Sequence, residues 1–247
     1  MKTTPHRWEV LDKLILVAGH AVYIGDSLDP PERDEHWVLK GFQKGEPPQY
    51  IEHVRFGVEL AISKPNSLLV FSGGQTRSEA GPRSEGQSYW VLADHFLWWG
   101  NADVRSRATT EEFARDSLEN FLFGIARFRE STGHYPESIE IVGWKFKSAR
   151  FDLHRRAVRW PDGDRFTYHG VNNPPDLDTS RSGEAKVLAA FTADPFGTET
   201  DLLEKRSRRN PFLRQHPYTT SCPEIAALLS HETRDGTTFD GTLPWSA

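Results

Sequence analysis

The sequence predicts an α/β protein: a Rossmann-like, three-layer α/β/α sandwich with a mostly parallel sheet and a helical C-terminal extension. Two observations carry that expectation. The apolar runs at 14–18 and 68–71 lack polar alternation, as do strands covered by helices on both faces. Between them lie segments with apolar residues at helical spacing, long enough for the crossovers that parallel pairing requires.

Taken in order, Leu14-Ile15-Leu16-Val17-Ala18 is the first predicted strand and ends at Gly19-His20. Tyr50, Val54, Val58, Leu60, Ala61 and Ile62 recur at helical spacing and predict the first crossover helix. Lys64-Pro65-Asn66-Ser67 signals a turn into the second strand, 68–71, which closes on Ser72-Gly73-Gly74. A helix at 85–98, a short strand at 103–108 and a long helix at 110–129 follow. Thr109 or Thr110 is the predicted N-cap of that long helix, with Glu111 and Glu112 suiting its positive first turn. The fourth strand, 139–142, is closed by Gly143. A basic helix from about 147 to 160 comes next, and Pro161-Asp162-Gly163 stops it. Residues 165–171 make a fifth strand. Beyond Asn172-Asn173-Pro174-Pro175 only helical stretches remain, near 183–191, 200–206 and 223–230. The predicted organisation is a core over 1–175 and an extension, 176–247, packed on it, with no internal repeat and the 26–35 segment among the most loop-like regions.

Length and composition bound the function classes. At 247 residues with 37% hydrophobic and 26% charged side chains, the chain can bury its own core and needs no partner to do so. A net charge of −5 argues against a nucleic-acid backbone as partner; the one basic run, 205–209 (Lys-Arg-Ser-Arg-Arg), reads as a solvated face. Cys222 is the single cysteine, which excludes an intrachain disulfide and a multi-cysteine zinc site and favours a reducing compartment. The polar first ten residues and the lack of any run near the roughly 20 apolar residues a bilayer requires predict a soluble, cytosolic protein.

In an open parallel sheet, ligands bind beyond the carboxyl ends of the strands, where loops meet and helix N-termini point inward. That rule selects Gly19 and His20 after the first strand, then Ser72, Gly73, Gly74 and Gln75 with Arg77 and Arg83 after the second. It also selects Thr110 and Glu111 after the third, and Lys147 with Arg150 after the fourth. The Ser-Gly-Gly step would let backbone N–H groups face a phosphate or carboxylate, while a tight turn explains it equally. Asp116, Glu119 and Asn120 share one helical surface, opposite Phe113, Leu118, Phe121, Leu122 and Ile125, and alone read as solvated. Lys147, Arg150 and His154 form a stripe at a helix N-terminus, where cations are disfavoured unless an anion compensates. The chain has no GxGxxG, GxxxxGK[ST], GxSxG or HExxH motif, which removes the main support for dinucleotide-fingerprint, P-loop, serine-hydrolase and zincin readings.

Across roughly 14–160 these polar positions resemble the YdcF-like family, the domain of unknown function 218, which includes the bacterial envelope proteins SanA and ElyC. The matching segments are Leu16-Val17-Ala18-Gly19-His20, Ser72-Gly73-Gly74 and Ser84-Glu85-Gly86. The family's E-x-x-S-x-N-T-x-E-N pattern is similar to 111–120. Glu111, Glu119 and Asn120 are kept there, while Ala114, Asp116 and Ser117 depart from it. An aromatic-His-x-x-Arg motif aligns with 146–150, where Lys147 stands at the usual histidine. The resemblance implies a Rossmann-like domain with nucleotide or S-adenosylmethionine binding in some members, here in the stand-alone cytosolic form found in fungi.

The resulting expectation is an anionic small-molecule site: a nucleotide, S-adenosylmethionine or a phosphorylated metabolite, served by a transferase or phosphoester hydrolase. Glu85, Glu111, Glu119, Lys147 and His154 are the catalytic candidates, and no metal ligand set is assigned. The alternative is a non-catalytic scaffold whose polar cluster is a structural network pairing Glu111 and Glu119 with Lys147 and Arg150.

Overall fold

A computed structural model describes residues 8–26, 28–233 and 238–246. Most of the polar amino terminus, residues 1–7, and Ser27 of the 26–35 segment lie outside them.

The five-stranded sheet is built from β1 (Lys13–Ala18), β4 (Ser67–Ser72), β5 (Ala108–Glu111), β6 (Ser138–Gly143) and β7 (Phe166–Gly170). They lie in the order β5-β4-β1-β6-β7, every neighbouring pair parallel. Leu16 stands beside Val70 on one side and Ile141 on the other. A separate antiparallel pair, β2 (Val22–Tyr23) and β3 (Trp37–Val38), forms in the segment that leaves β1. Along β1 the side chains alternate between two cores. Leu14 and Leu16 join Leu68, Val70, Ile139 and Ile141 on one face, while Ile15 and Val17 join Leu69 and Phe71 on the other. Both faces of β1 and β4 are covered, so these two strands read as unbroken apolar runs, whereas β6 carries Glu140 and β7 is partly exposed.

Helices α1 (Pro47–Ser63) and α2 (Glu85–His95) cover the Ile15 face, with Tyr50, Val54, Val58, Tyr89 and Leu92 buried against it. Helices α4 (Ser117–Thr132) and α5 (Ser148–Ala157) cover the Leu16 face through Leu118, Phe121, Ile125 and Phe151. The extension adds α6 (Leu177–Ala193), α7 (Thr200–Arg208), α8 (Tyr218–Ser221) and α9 (Ala226–Leu229). Phe191, Phe196, Leu202, Tyr218 and Trp245 tie it into the α4 core. No helix among the described residues is long and apolar enough to cross a membrane.

Three boundaries differ from the sequence expectation. α2 ends at His95, short of 98, because Leu97, Trp98 and Trp99 take left-handed φ values of 49°, 52° and 50°. Helix α3 (Ala102–Ser106) occupies most of the expected third strand, and the strand begins at Ala108, centred on the β-branched Thr109 and Thr110. Buried Arg107 fixes that junction by donating to the carbonyls of Ala61 (2.6 Å) and Ser67 (2.9 Å). α4 begins at Ser117 rather than 110. Glu111 Oε1 accepts the amides of Phe113 (2.7 Å) and Ala114 (3.2 Å), holding a turn, and Asp116 caps the helix by accepting the Glu119 amide at 2.9 Å. Thr109 and Thr110 are strand residues, not caps.

Candidate anion-binding site

β1 lies between β4, which follows it in the sheet's chain order, and β6, so the strand order reverses at the β1–β6 pair. The loops leaving these two strands, Gly19-His20 and Trp144 to Lys147, border a cavity of about 400 Å³. The first turns of α4 (Asp116, Ser117) and α6 (Thr179, Ser180) also line it, as do Lys147 and Arg150 at the start of α5. Helix N-termini carry partial positive charge, so their convergence favours an anion.

The charged lining is unbalanced. Seven cations, Lys40, Arg77, Arg115, Lys147, Arg150, Lys205 and Arg209, face four carboxylates, those of Glu46, Glu85, Asp116 and Glu184. Only two of the seven have a carboxylate within 4 Å among the described residues. Arg115 pairs with Glu119 at 2.5 Å, and Arg150 with Glu184 of α6 at 2.9 Å. Arg77 is 6% exposed, yet among the described residues its guanidinium meets only neutral acceptors, Gln43 Oε1 at 3.3 Å and the Thr76 carbonyl at 3.4 Å, and its Nε has no partner. Nε of Arg150 and of Arg209 is likewise buried and unpartnered. Burial, reinforced by Arg150, lowers Lys147 to about 7. Burial and then Arg209 lower Lys205 to about 8, and burial and Arg209 likewise lower Lys40 to about 8. Arg209 is itself lowered, first by burial. A pocket that crowds like charges until they shed protons is short of negative charge.

His20 sits among these cations as a neutral ring. Its centroid is 5.6 Å from that of Trp144, the two rings stacked with planes 20° apart, and His53 abuts it edge-on at 5.4 Å. Nδ1 lies 3.5 Å from Lys147 Nζ, and Nε2 is buried without a partner. Burial first, and then Lys147, push its proton affinity well below the ordinary value.

Several predicted residues do other work. The N–H groups of Gly73 and Gly74 do not face the cavity; they donate to the carbonyls of Glu111 (3.0 Å) and Ala114 (2.6 Å). Their glycine character serves packing. A Cβ on Gly73, whose φ is +156°, would come within 2.6 Å of Glu85 Cβ, and one on Gly19 within 2.7 Å. The space they leave lets Glu85 reach the cavity wall, where Thr76 Oγ1 donates to its carboxylate. Glu111, fully buried behind the wall, accepts from Ser72 Oγ at 2.7 Å and the two loop amides, and burial raises it to about 7. Asn120 lines the cavity and donates to the Ser72 carbonyl at 3.1 Å.

Asp116, Glu119 and Asn120 are 5%, 5% and 7% exposed, so the solvated-face reading fails. Arg206 of α7 reaches Asp116 at 2.5 Å and Glu119 at 3.5 Å, completing a chain of charges with Arg115. Asp116 is held below the ordinary carboxylate range by Arg206, against the opposing cost of burial. Neither Glu111 nor Glu119 has an ion pair with Lys147 or Arg150 among the described residues, so the pairing expected of a scaffold is not made. Gln75, Arg83 and Thr110 lie off the cavity: Gln75 donates to the Pro82 carbonyl, Arg83 is exposed, and Thr110 Oγ1 donates to Glu112.

His154 is a core histidine, lowered to about 3 chiefly by burial. Its Nε2 is 2.7 Å from Ser117 Oγ, while Nδ1 has no partner among the described residues and the ring packs edge-on against Phe191 and Phe151. A bare acceptor among aromatic rings costs less than a stranded N–H. The favoured tautomer therefore donates from Nε2 to Ser117 Oγ and leaves the serine hydroxyl hydrogen to turn toward the cavity.

The chain has a relative in yeast. It is similar to "Uncharacterized protein YOR238W" of Saccharomyces cerevisiae, 27% identical over 296 residues that cover 95% of this chain and 97% of that one. No family model matches the chain, and no solved structure matches it. The span of the yeast match takes in α6 and α7, which contribute Glu184, Lys205 and Arg209 to the cavity.

Lys40, Gln43, Glu46, Glu184, Lys205 and Arg209 escaped sequence reasoning. A signal was present for two of them. Leu202, Lys205, Arg206 and Arg209 recur at spacings of three and four, one face of a helix, while Glu204 and Arg208 point to solvent. The run at 205–209 is thus an inward stripe, not a solvated one.

Proposed function

We propose that the cavity binds an anionic small molecule bearing phosphoryl groups, with nucleotides and phosphorylated metabolites as the fitting classes. One observation carries the reading: among the described residues, five cations line the wall with no carboxylate in ion-pair range, Arg77 being one of them at 6% exposure. A buried unpaired cation costs several kcal/mol, roughly, unless an anion joins it, and multidentate guanidinium contacts match phosphoryl oxygens. The same surplus disfavours S-adenosylmethionine, whose sulfonium would add positive charge beside Lys147 and Arg150. Glu85 and the Ser117 hydroxyl are the groups placed to handle a proton or a hydrogen bond at the ligand, which suits group transfer or phosphoester hydrolysis. Membership of the YdcF-like family is part of this proposal and rests on the motif resemblance.

The scaffold reading keeps one foothold: Arg115, Asp116, Glu119 and Arg206 form a closed structural network without a ligand. A thermal-shift screen separates the two. Pyrophosphate, nucleoside di- and triphosphates and sugar phosphates, with and without magnesium, should stabilise the wild type, and Arg209→Met should abolish the gain. S-adenosylmethionine should have no effect. If none of the phosphates shifts the transition, the cavity reading fails and the scaffold reading stands.

A further inference from the structure

Lys147 differs from the other cavity cations in its surroundings. It follows β6 on a tight turn, Lys145–Lys147, and is the N-cap residue of α5, so its amine is presented at the point where the strand order reverses. No carboxylate lies within 4 Å of Nζ among the described residues. The two acids that face it are occupied elsewhere: Glu184 pairs with Arg150 at 2.9 Å, and Glu46 accepts the Tyr50 hydroxyl. Arg150 and Arg209 repel a proton on the amine, and the imidazoles that face it, His20 and His53, are both held neutral, chiefly by burial. His20 Nδ1, 3.5 Å away, can accept an amine N–H but offers no negative charge. A lysine desolvated beside cations keeps a free lone pair near neutral pH, the condition for amine nucleophiles. Lys205, by contrast, lies on α7, away from any imidazole partner among the described residues.

Building on the phosphoryl-binding reading, we infer that Lys147 is a nucleophilic amine that forms an imine with the aldehyde or ketone of a phosphorylated carbonyl compound, whose phosphoryl group Arg77 and Arg209 hold. The neutral amine adds its lone pair to the carbonyl carbon, giving a carbinolamine. The carbonyl oxygen then leaves as water, taking both amine protons, and a C=N bond replaces the C=O bond. Amine plus carbonyl compound give imine plus water, and nothing is oxidised or reduced. His20 acts as a positioning residue: accepting one N–H at Nδ1, it turns the lone pair into the cavity. Glu85, across the same cavity, is placed to exchange protons with the departing oxygen.

Pyridoxal 5′-phosphate is a suitable probe, since it joins an aldehyde to a phosphate. The wild-type chain is incubated with it near pH 8, reduced with borohydride, and digested for peptide mass mapping. The expected result is one dominant adduct, on Lys147, with pyridoxal lacking the phosphate labelling about tenfold less at the same concentration, as loss of roughly 1.4 kcal/mol of phosphoryl contacts requires. Pyrophosphate should compete with the label. Lys147→Arg, which keeps the charge, should lose the adduct yet still be stabilised by pyrophosphate, and His20→Asn should slow labelling without removing that stabilisation. Labelling spread over surface lysines, or stabilisation by pyrophosphate with Lys147 unmodified, overturns the imine while leaving anion binding intact. Absence of any pyrophosphate effect overturns both.

Discussion

Anion binding at this site must take up protons. Free of ligand, Lys147 titrates at about 7 and Lys205 and Lys40 at about 8, all below the ordinary lysine value because of burial and neighbouring cations. A phosphorylated ligand restores the missing negative charge and raises Lys205 and Lys40, so the complex holds protons that the free protein has lost, while Lys147 stays a neutral amine. At pH 8, Lys205 and Lys40 are each about half deprotonated, giving an expected uptake of up to about one proton per ligand. Lys40 is exposed at the cavity rim and contributes least. The sign follows directly. Affinity is full below about pH 7, where the lysines are already charged, and falls as pH rises through their free-protein values. Lys205 alone weakens binding roughly tenfold between pH 7 and pH 9 if the complex keeps it protonated. Calorimetric titration of a nucleoside triphosphate at pH 8, in buffers of different ionisation enthalpy, counts the protons. Proton release on binding, or affinity that rises from pH 7 to pH 9, would refute the electrostatic reasoning.

Further outcomes follow from the surrounding network. Asp116→Asn leaves Arg206 with only the longer pair to Glu119 at 3.5 Å, and chemical denaturation should show a loss of about 2 kcal/mol; a loss under 1 kcal/mol contradicts the ion-pair assignment. Glu111 is raised to about 7 in the fold, so the stability it contributes is complete below its ordinary value of 4.5 and is lost as pH climbs through 7. Glu111→Gln should remove that slope, changing the stability difference from wild type by roughly 2 kcal/mol between pH 4.5 and 7, as read from denaturation curves at each pH. Ser117→Ala should weaken phosphate binding by about tenfold, the value of one hydrogen bond to a charged group, and should also cost about 1–3 kcal/mol of stability, because it strands the buried His154 Nε2–H. His154→Phe should produce a smaller loss of affinity, and a fluorophosphonate probe should not label Ser117, since its hydroxyl accepts from His154 rather than being activated by it.

The sheet was legible because both its faces are covered. Residues 14–18 and 68–71 had to be apolar throughout, 139–142 is apolar but for Glu140, which pairs with Lys64 and His169, and each became a strand bounded within a residue or two of that run. Where side chains bind their own backbone, the reading failed. Glu111 folds onto the amides of Phe113 and Ala114 and delays α4, and Asp116 takes the cap that Thr109 or Thr110 was expected to supply. Local periodicity does not report such bonds. Gly19, His20, Lys147 and Arg150 could be found from strand ends alone, and the structure brings them to one cavity. Arg77 came from the same rule and joins them, whereas Arg83, six residues further along, is turned to solvent. Glu184, Lys205 and Arg209 come from helices that follow the last strand. Only tertiary packing of α6 and α7 over the β1–β6 loops makes them part of the site, so no strand-end rule could select them.

Crystals grown with a non-hydrolysable nucleoside triphosphate give the most direct test of the cavity assignment. Phosphoryl density enclosed by Arg77, Lys147, Lys205 and Arg209, beyond the ends of β1 and β6, is the predicted result. Well-ordered nucleotide bound elsewhere on the surface, with these four side chains still unpaired, would contradict it.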